Sequence, residues 1–191
     1  AWSPDGRYLA YASFEGRNNQ IVVHELATGR RHVVVSEEGI NSAPSWSPDG
    51  RNLVFTLSRD GNPEIYTSDT AGRNLTRLTN HPGIDTEPVR GRDGMIYFTS
   101  DRSGSAQIYR MNAYGGDVKR ITYQGNYNGS ATISSDGRWL GMMQRIDGRG
   151  FGIAVMDLQT GQVKRLTNGG KDEGPSFSGN GHMIIYSDGR G

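Results

Sequence analysis

The chain has 191 residues and a formal net charge of +1, from 21 Lys plus Arg against 20 Asp plus Glu. That balance lacks the concentrated basic surface that nucleic acid or an anionic membrane demands. No apolar run approaches the ~20 residues of a membrane-crossing helix, and no cysteine is present for thiol catalysis, disulfides or cysteine-ligated zinc.

The turn Ser3-Pro4-Asp5-Gly6 returns as Ser47-Pro48-Asp49-Gly50, then in altered form as Gly91-Arg92-Asp93-Gly94, Ser134-Ser135-Asp136-Gly137 and Ser178-Gly179-Asn180-Gly181. The closing glycines are spaced by 44, 44, 43 and 44 residues. A steady period of about 40–45 residues with four short apolar runs per copy is the signature of a β-propeller blade. Pro presets φ, Asp bonds its own backbone and Gly accepts positive φ, so turn geometry alone accounts for these residues without a metal.

In chain order, the first repeat places its second and third strands at Tyr8–Tyr11 and Ile21–Val23. The next places four strands at Ala43–Ser47, Asn52–Leu57, Glu64–Ser68 and Leu75–Thr79. Second strands follow at Met95–Phe98, Trp139–Met143 and Met183–Tyr186, and third strands at Ile108–Met111 and Ile153–Met156. Several second strands are nearly continuous apolar runs, as in a strand buried on both faces. A two-layer sandwich would leave one face wet. The expected fold is therefore all-β: a propeller of four-stranded antiparallel blades, with repeats at about 1–39, 40–83, 84–126, 127–170 and 171–191. That makes about four and a half blades, cut from a larger ring, with no sustained helix. The recurring Arg77, Arg120 and Arg165 are expected to solubilise outer blade edges.

The segments entering each inner strand should converge at one mouth of the channel, and their polar variety suits a docking ring. The candidates there are Asn41, Ala43, Asp85, Thr86, Glu87, Asn128, Asp172 and Glu173, with His81 in the neighbouring loop Asn80–Gly83. An alternative is that the acidic members cap turns and stay solvated. No cofactor is called for. Carboxylates around a narrow channel could gather calcium, but no EF-hand-like spacing is present. His24, His32, His81 and His182 form no metal-binding pair, and neither Gly-x-Ser-x-Gly nor Ser-x-x-Lys signals a nucleophile.

The Ser-Pro-Asp-Gly turns resemble the TolB propeller family, as do Arg77-Leu78-Thr79-Asn80 and Asp85-Thr86-Glu87-Pro88. The resemblance extends through Phe98–Arg102, Gln107–Tyr109 and Ala154–Leu158 and covers the whole chain. It implies a six-bladed propeller, periplasmic and non-enzymatic, in the Tol-Pal system that links inner membrane, peptidoglycan and outer membrane. It implies support of outer-membrane integrity and cell division. The lipoprotein Pal would be the partner, with colicin translocation peptides on the same surface. Contact with TolA belongs to an N-terminal domain that this chain lacks. Ala43, Thr86 and Glu87 match family contact positions, whereas Ile40 is apolar where the family often has a polar residue. A competing assignment is the non-catalytic propeller of a prolyl-oligopeptidase-like peptidase, which would have its hydrolase domain elsewhere.

Overall fold

The computed structural model describes residues 1–15, 18–146, 148–168 and 170–189. Among these it contains strands and no helix. The first sheet is β1 (Tyr8–Ser13), β2 (Gln20–Glu25) and β3 (Arg31–Val35), with residues 1–3 running beside β1 through the Trp2–Leu9 bridge. Three four-stranded antiparallel sheets follow. They are β4 (Asn41–Trp46) to β7 (Thr76–Arg77), with β5 (Asn52–Leu57) and β6 (Glu64–Asp69) between; β8 (Asp85–Arg90), β9 (Ile96–Ser100), β10 (Gln107–Met111) and β11 (Lys119–Arg120); and β12 (Tyr127–Ile133), β13 (Trp139–Arg145), β14 (Phe151–Asp157) and β15 (Val163–Arg165). The last sheet holds β16 (Glu173–Phe177) and β17 (Ile184–Ser187). Strands pair in simple meander order, and β4, β8, β12 and β16 each lie against the next as the inner strands of successive blades.

The apolar second strands are buried on both sides because each sheet is packed between two others. Leu53, Phe55 and Leu57 of β5 join Ala10, Ile21 and Val23 of the first sheet, while Val54 of the same strand points the other way onto Ile96 and Phe98. Tyr97 of β9 likewise turns to Leu140 and Met142. Period-two alternation therefore survives, but both faces find an apolar neighbour. Each such side chain gains about 1.5–3 kcal/mol from burial. In β17 Ile185 stays 69 % exposed, because among the described residues that sheet packs on the β12–β15 sheet alone.

The Asp residues of the repeated turns act as local caps. Ser47 Oγ donates to Asp49 Oδ1 at 2.6 Å, and the same carboxylate oxygen accepts from Arg51 N. The arrangement recurs at Ser3–Asp5 and Ser134–Asp136, and as Ser178–Asn180 in the fifth repeat. These bonds, led by the serine hydroxyl, hold the Asp49 carboxyl below its ordinary range.

Two expectations change at the outer strands. In the second to fourth repeats they are only two or three residues long, against five in β3, and Arg77, Arg120 and Arg165 do more than solubilise an edge. Each donates Nε to the carbonyl of the threonine two residues on, Thr79, Thr122 or Thr167. Those threonine hydroxyls in turn accept the backbone N–H of Ile65, Ile108 and Ile153. One backbone bond persists there, from Leu78, Ile121 or Leu166 N–H to the carbonyl of that isoleucine, but the isoleucine N–H goes to a threonine hydroxyl in place of a backbone carbonyl. Thr122→Ala should cost about 1–3 kcal/mol, since the Ile108 N–H and the Gln107 amide both lose a buried partner. A denaturant midpoint unchanged at constant slope would refute this.

Candidate functional site

The residues at the starts of the inner strands do not form an exposed ring. Asn41, Asp85, Asn128 and Asp172 occupy equivalent positions and are all buried. Asn41 Nδ2 donates to the carbonyls of Glu37 and Gly39, and its Oδ1 accepts from Glu37 N. Asp85 Oδ2 accepts from Arg102 Nη2 at 2.6 Å. Asn128 donates to Gln107 Oε1 and accepts from Gln144 Nε2. Asp172 accepts from the Thr167 hydroxyl. Asn128 and Asp172 thereby reach back to the end of the preceding blade. Side chains so placed and so bonded have no surface to offer a partner. Asn128 and Asp172 thus tie neighbouring blades together, whereas Asp85 pairs with Arg102 of its own blade; buried as they are, the four do not line the open rim expected of them.

What remains open lies one to three residues further along. The inner strands bulge between Ser42 and Ser45, Thr86 and Val89, Gly129 and Thr132, and Glu173 and Ser176. At each bulge one residue takes positive φ: Ala43 at 50°, Glu87 at 52°, Ser130 at 49° and Gly174 at 60°. Three of the four are not glycine, so the backbone carries strain at matching places on successive strands, a pattern associated with functional sites. Ala43, Thr86 and Glu87 are half-buried, and Glu173 is exposed.

The Glu87 carboxylate is already engaged. Oε2 accepts from Ser130 N at 2.8 Å and Thr99 Oγ1 at 3.0 Å, and Oε1 accepts from Ser130 Oγ at 3.0 Å. Its backbone N–H donates to Thr56 Oγ1, which also meets Thr86 Oγ1. Glu87 therefore clasps β8 to β12 while Thr86 sits against β5. His81 is half-buried in a loop held by Asn62, whose amide donates to the His81 and Gly83 carbonyls. His81 Nδ1 accepts from Gly83 N at 2.9 Å.

Ser130, Thr56, Thr99 and Arg102 escape a reading of the sequence. Ser130 could have been found from its repeat equivalence to Glu87, but the hydroxyls of Thr56 and Thr99 belong to runs that read as apolar core. Among the described residues no three His, Asp or Glu converge on a metal-sized site. Asp85 Oδ2 pairs with Arg102 while its buried Oδ1 has no hydrogen bond, and Glu87 accepts three bonds from Ser130 and Thr99. What the mouth presents is a set of small polar side chains and distorted strand backbone, suited to hydrogen-bonding a polypeptide.

Successive four-stranded meanders around a common set of inner strands define a β-propeller. The family model for the TolB beta propeller domain matches residues 1–191, and the chain belongs to that family. It is 47 % identical over 191 residues to the Tol-Pal system protein TolB of Actinobacillus succinogenes, covering 100 % of this chain and 43 % of that protein. It is 49 % identical over 189 residues to the protein of the same name from Bordetella pertussis, covering 98 % and 43 %. The crystal structure of TolB from Acinetobacter baumannii superposes with a TM-score of 0.90 at 46 % identity, over 96 % of this chain and 46 % of that one. The chain thus spans less than half the length of these relatives.

Proposed function

We propose that this propeller is a non-catalytic docking scaffold of the Tol-Pal system in the periplasm. It holds the Pal lipoprotein at the mouth formed by the bulged inner strands, and in doing so supports outer-membrane integrity and division. Colicin translocation peptides would compete for the same rim, while contact with TolA belongs to sequence outside this chain. No cofactor, nucleic acid or membrane insertion enters the proposal. The observation that carries it is the recurrence of positive-φ residues at Ala43, Glu87 and Ser130, beside half-exposed Thr86, on a chain close in sequence to Tol-Pal proteins.

Calorimetric titration with soluble Pal tests this. Thr86→Arg places a long cation on the rim and should weaken binding by roughly tenfold or more, as expected when a central interface residue is replaced. Glu87→Lys should lose at least as much, because it removes the Ser130 clasp as well as altering the rim. Full affinity in Thr86→Arg would remove this mouth from consideration.

A further inference from the structure

At the opposite end of the channel the inner strands finish and reverse through the repeated turns. These turns lie side by side, Gly50 next to Pro4, Gly137 next to Arg92 and Gly181 next to Ser135. A cavity of 490 Å³ opens among them, with Trp2, Ser45, Trp46, Arg90, Arg92 and Ser134 in its wall.

The repeat sets a default at two positions of this rim, and one blade departs from both. Inner strands end in Trp46, Ile133 and Phe177, but β8 ends in Arg90. The second turn residue is Pro4, Pro48, Ser135 or Gly179, but in the third repeat it is Arg92. Two cations thus enter one cavity from one blade.

Arg90 is not there to complete a bond network within the chain. Its Nη1 donates to the Gly94 carbonyl at 3.2 Å, while the buried Nε has no partner. Asp49, the carboxylate nearest in charge effect, is taken up by Ser47 and Arg51 N. Asp93 is held by Met95 N and the Tyr97 hydroxyl. Burial lowers the guanidinium from its ordinary value, against a smaller opposing pull from Asp49. The Nε edge of a guanidinium is one that forks onto a carboxylate.

We propose that this turn-side mouth binds a carboxylate side chain carried by an extended peptide, with Arg90 as the anchor and Arg92 at the rim. A peptide fits better than a lone ion because the cavity is far larger than a carboxylate and has Trp2 and Trp46 in its wall. This site is separate from the bulged-strand mouth and does not depend on Pal.

The tryptophans supply the readout. The protein is titrated, with indole fluorescence followed, against a capped peptide with a central Glu, its Gln counterpart, and free glutarate. The Glu peptide should bind saturably and weaken with salt, and the Gln peptide should bind roughly tenfold or more weakly. Arg90→Gln should lose roughly thirtyfold in affinity and Arg92→Gln several-fold, the half-buried cation mattering more than the rim one. Thr86→Arg, at the other mouth, should leave this binding unchanged, so the two readings fail separately. Equal binding of the Glu and Gln peptides would overturn the proposal, and glutarate binding as tightly as the peptide would overturn its assignment to a peptide. Should Arg90→Gln melt early, Arg90→Lys keeps the charge and loses the fork. Unchanged affinity in both Arg90→Lys and Arg92→Gln would also refute it.

Discussion

Asp85→Ala should lower the unfolding free energy by about 3 kcal/mol, because removing one member of a buried ion pair strands the other. The pair is Asp85, fully buried, and Arg102, whose side chain is 16 % exposed. Arg102 also donates Nε to Ser100 Oγ and lies 5.4 and 5.1 Å from the ring centroids of Phe98 and Tyr109. It is therefore packed in place and cannot simply swing into water when its carboxylate is removed. Equilibrium denaturation measures the loss, and a midpoint shift of only a few tenths of a molar at unchanged slope would contradict the assignment. Asp85→Asn should cost less, since the equivalent positions 41 and 128 already carry a buried Asn.

The same carboxyl gives a pH signature. Burial raises it above the ordinary aspartate range, against the pull of Ser100 and Arg102, and the nearby Glu64 adds to the rise. Between the ordinary value and the raised folded value, the folded protein holds the proton more tightly than the unfolded chain. Stability contributed by this group is therefore greatest below that window and declines as pH rises through it. The turn carboxylates Asp49, Asp69 and Asp136 are lowered instead and act in the opposite direction. They are common to both proteins, so the difference between wild type and Asp85→Asn across pH isolates Asp85. A flat difference would mean that the carboxyl titrates as it does in the unfolded chain.

Gly72→Ala should be comparably damaging, at about 3 kcal/mol. Its φ of +79° costs a non-glycine residue about 1–2 kcal/mol. In addition, a Cβ there would overlap the carbonyl oxygen of Val34 in the preceding sheet. Backbone meets backbone at that point, so no side chain can rotate away, and the two blades must separate locally to make room. Gly29 is the control: it has φ +70° and nothing within 4 Å of its would-be Cβ. Gly29→Ala should thus show the conformational cost alone, about 1–2 kcal/mol. Equal losses at the two positions would mean that the blade contact carries no strain.

Much of the architecture is legible before any coordinates. The 43–44-residue period, the Asp-Gly turns and the nearly continuous apolar runs such as Leu53–Leu57 specify repeated meanders with doubly buried middle strands, and that is what forms. The outer strands were harder to read. Arg77-Leu78-Thr79 looks like continuing strand, yet after the Leu78 N–H bond to Ile65 the Thr79 hydroxyl takes the place of a backbone acceptor, and the strand is only Thr76–Arg77. At the candidate mouth the positions are readable but their roles are not. Asn41 and Ala43 stand two residues apart in one polar segment, and nothing in their order says that the first is buried while the second remains open.

Local chemistry therefore determined what each repeat becomes, because turn preference and apolar pattern act within a few residues and need no neighbour. Which polar groups face water was decided only when the blades came together. The Arg90 backbone N–H is satisfied by Ser45 Oγ of the preceding blade, and Glu87 is engaged because β12 brings Ser130 to it. The cavity holding Arg90 and Arg92 likewise exists because four successive turns meet around it. Solvent exclusion and long-range hydrogen bonds of this kind arise from the approach of segments some 45 residues apart, which the repeat implies as a spacing but does not orient.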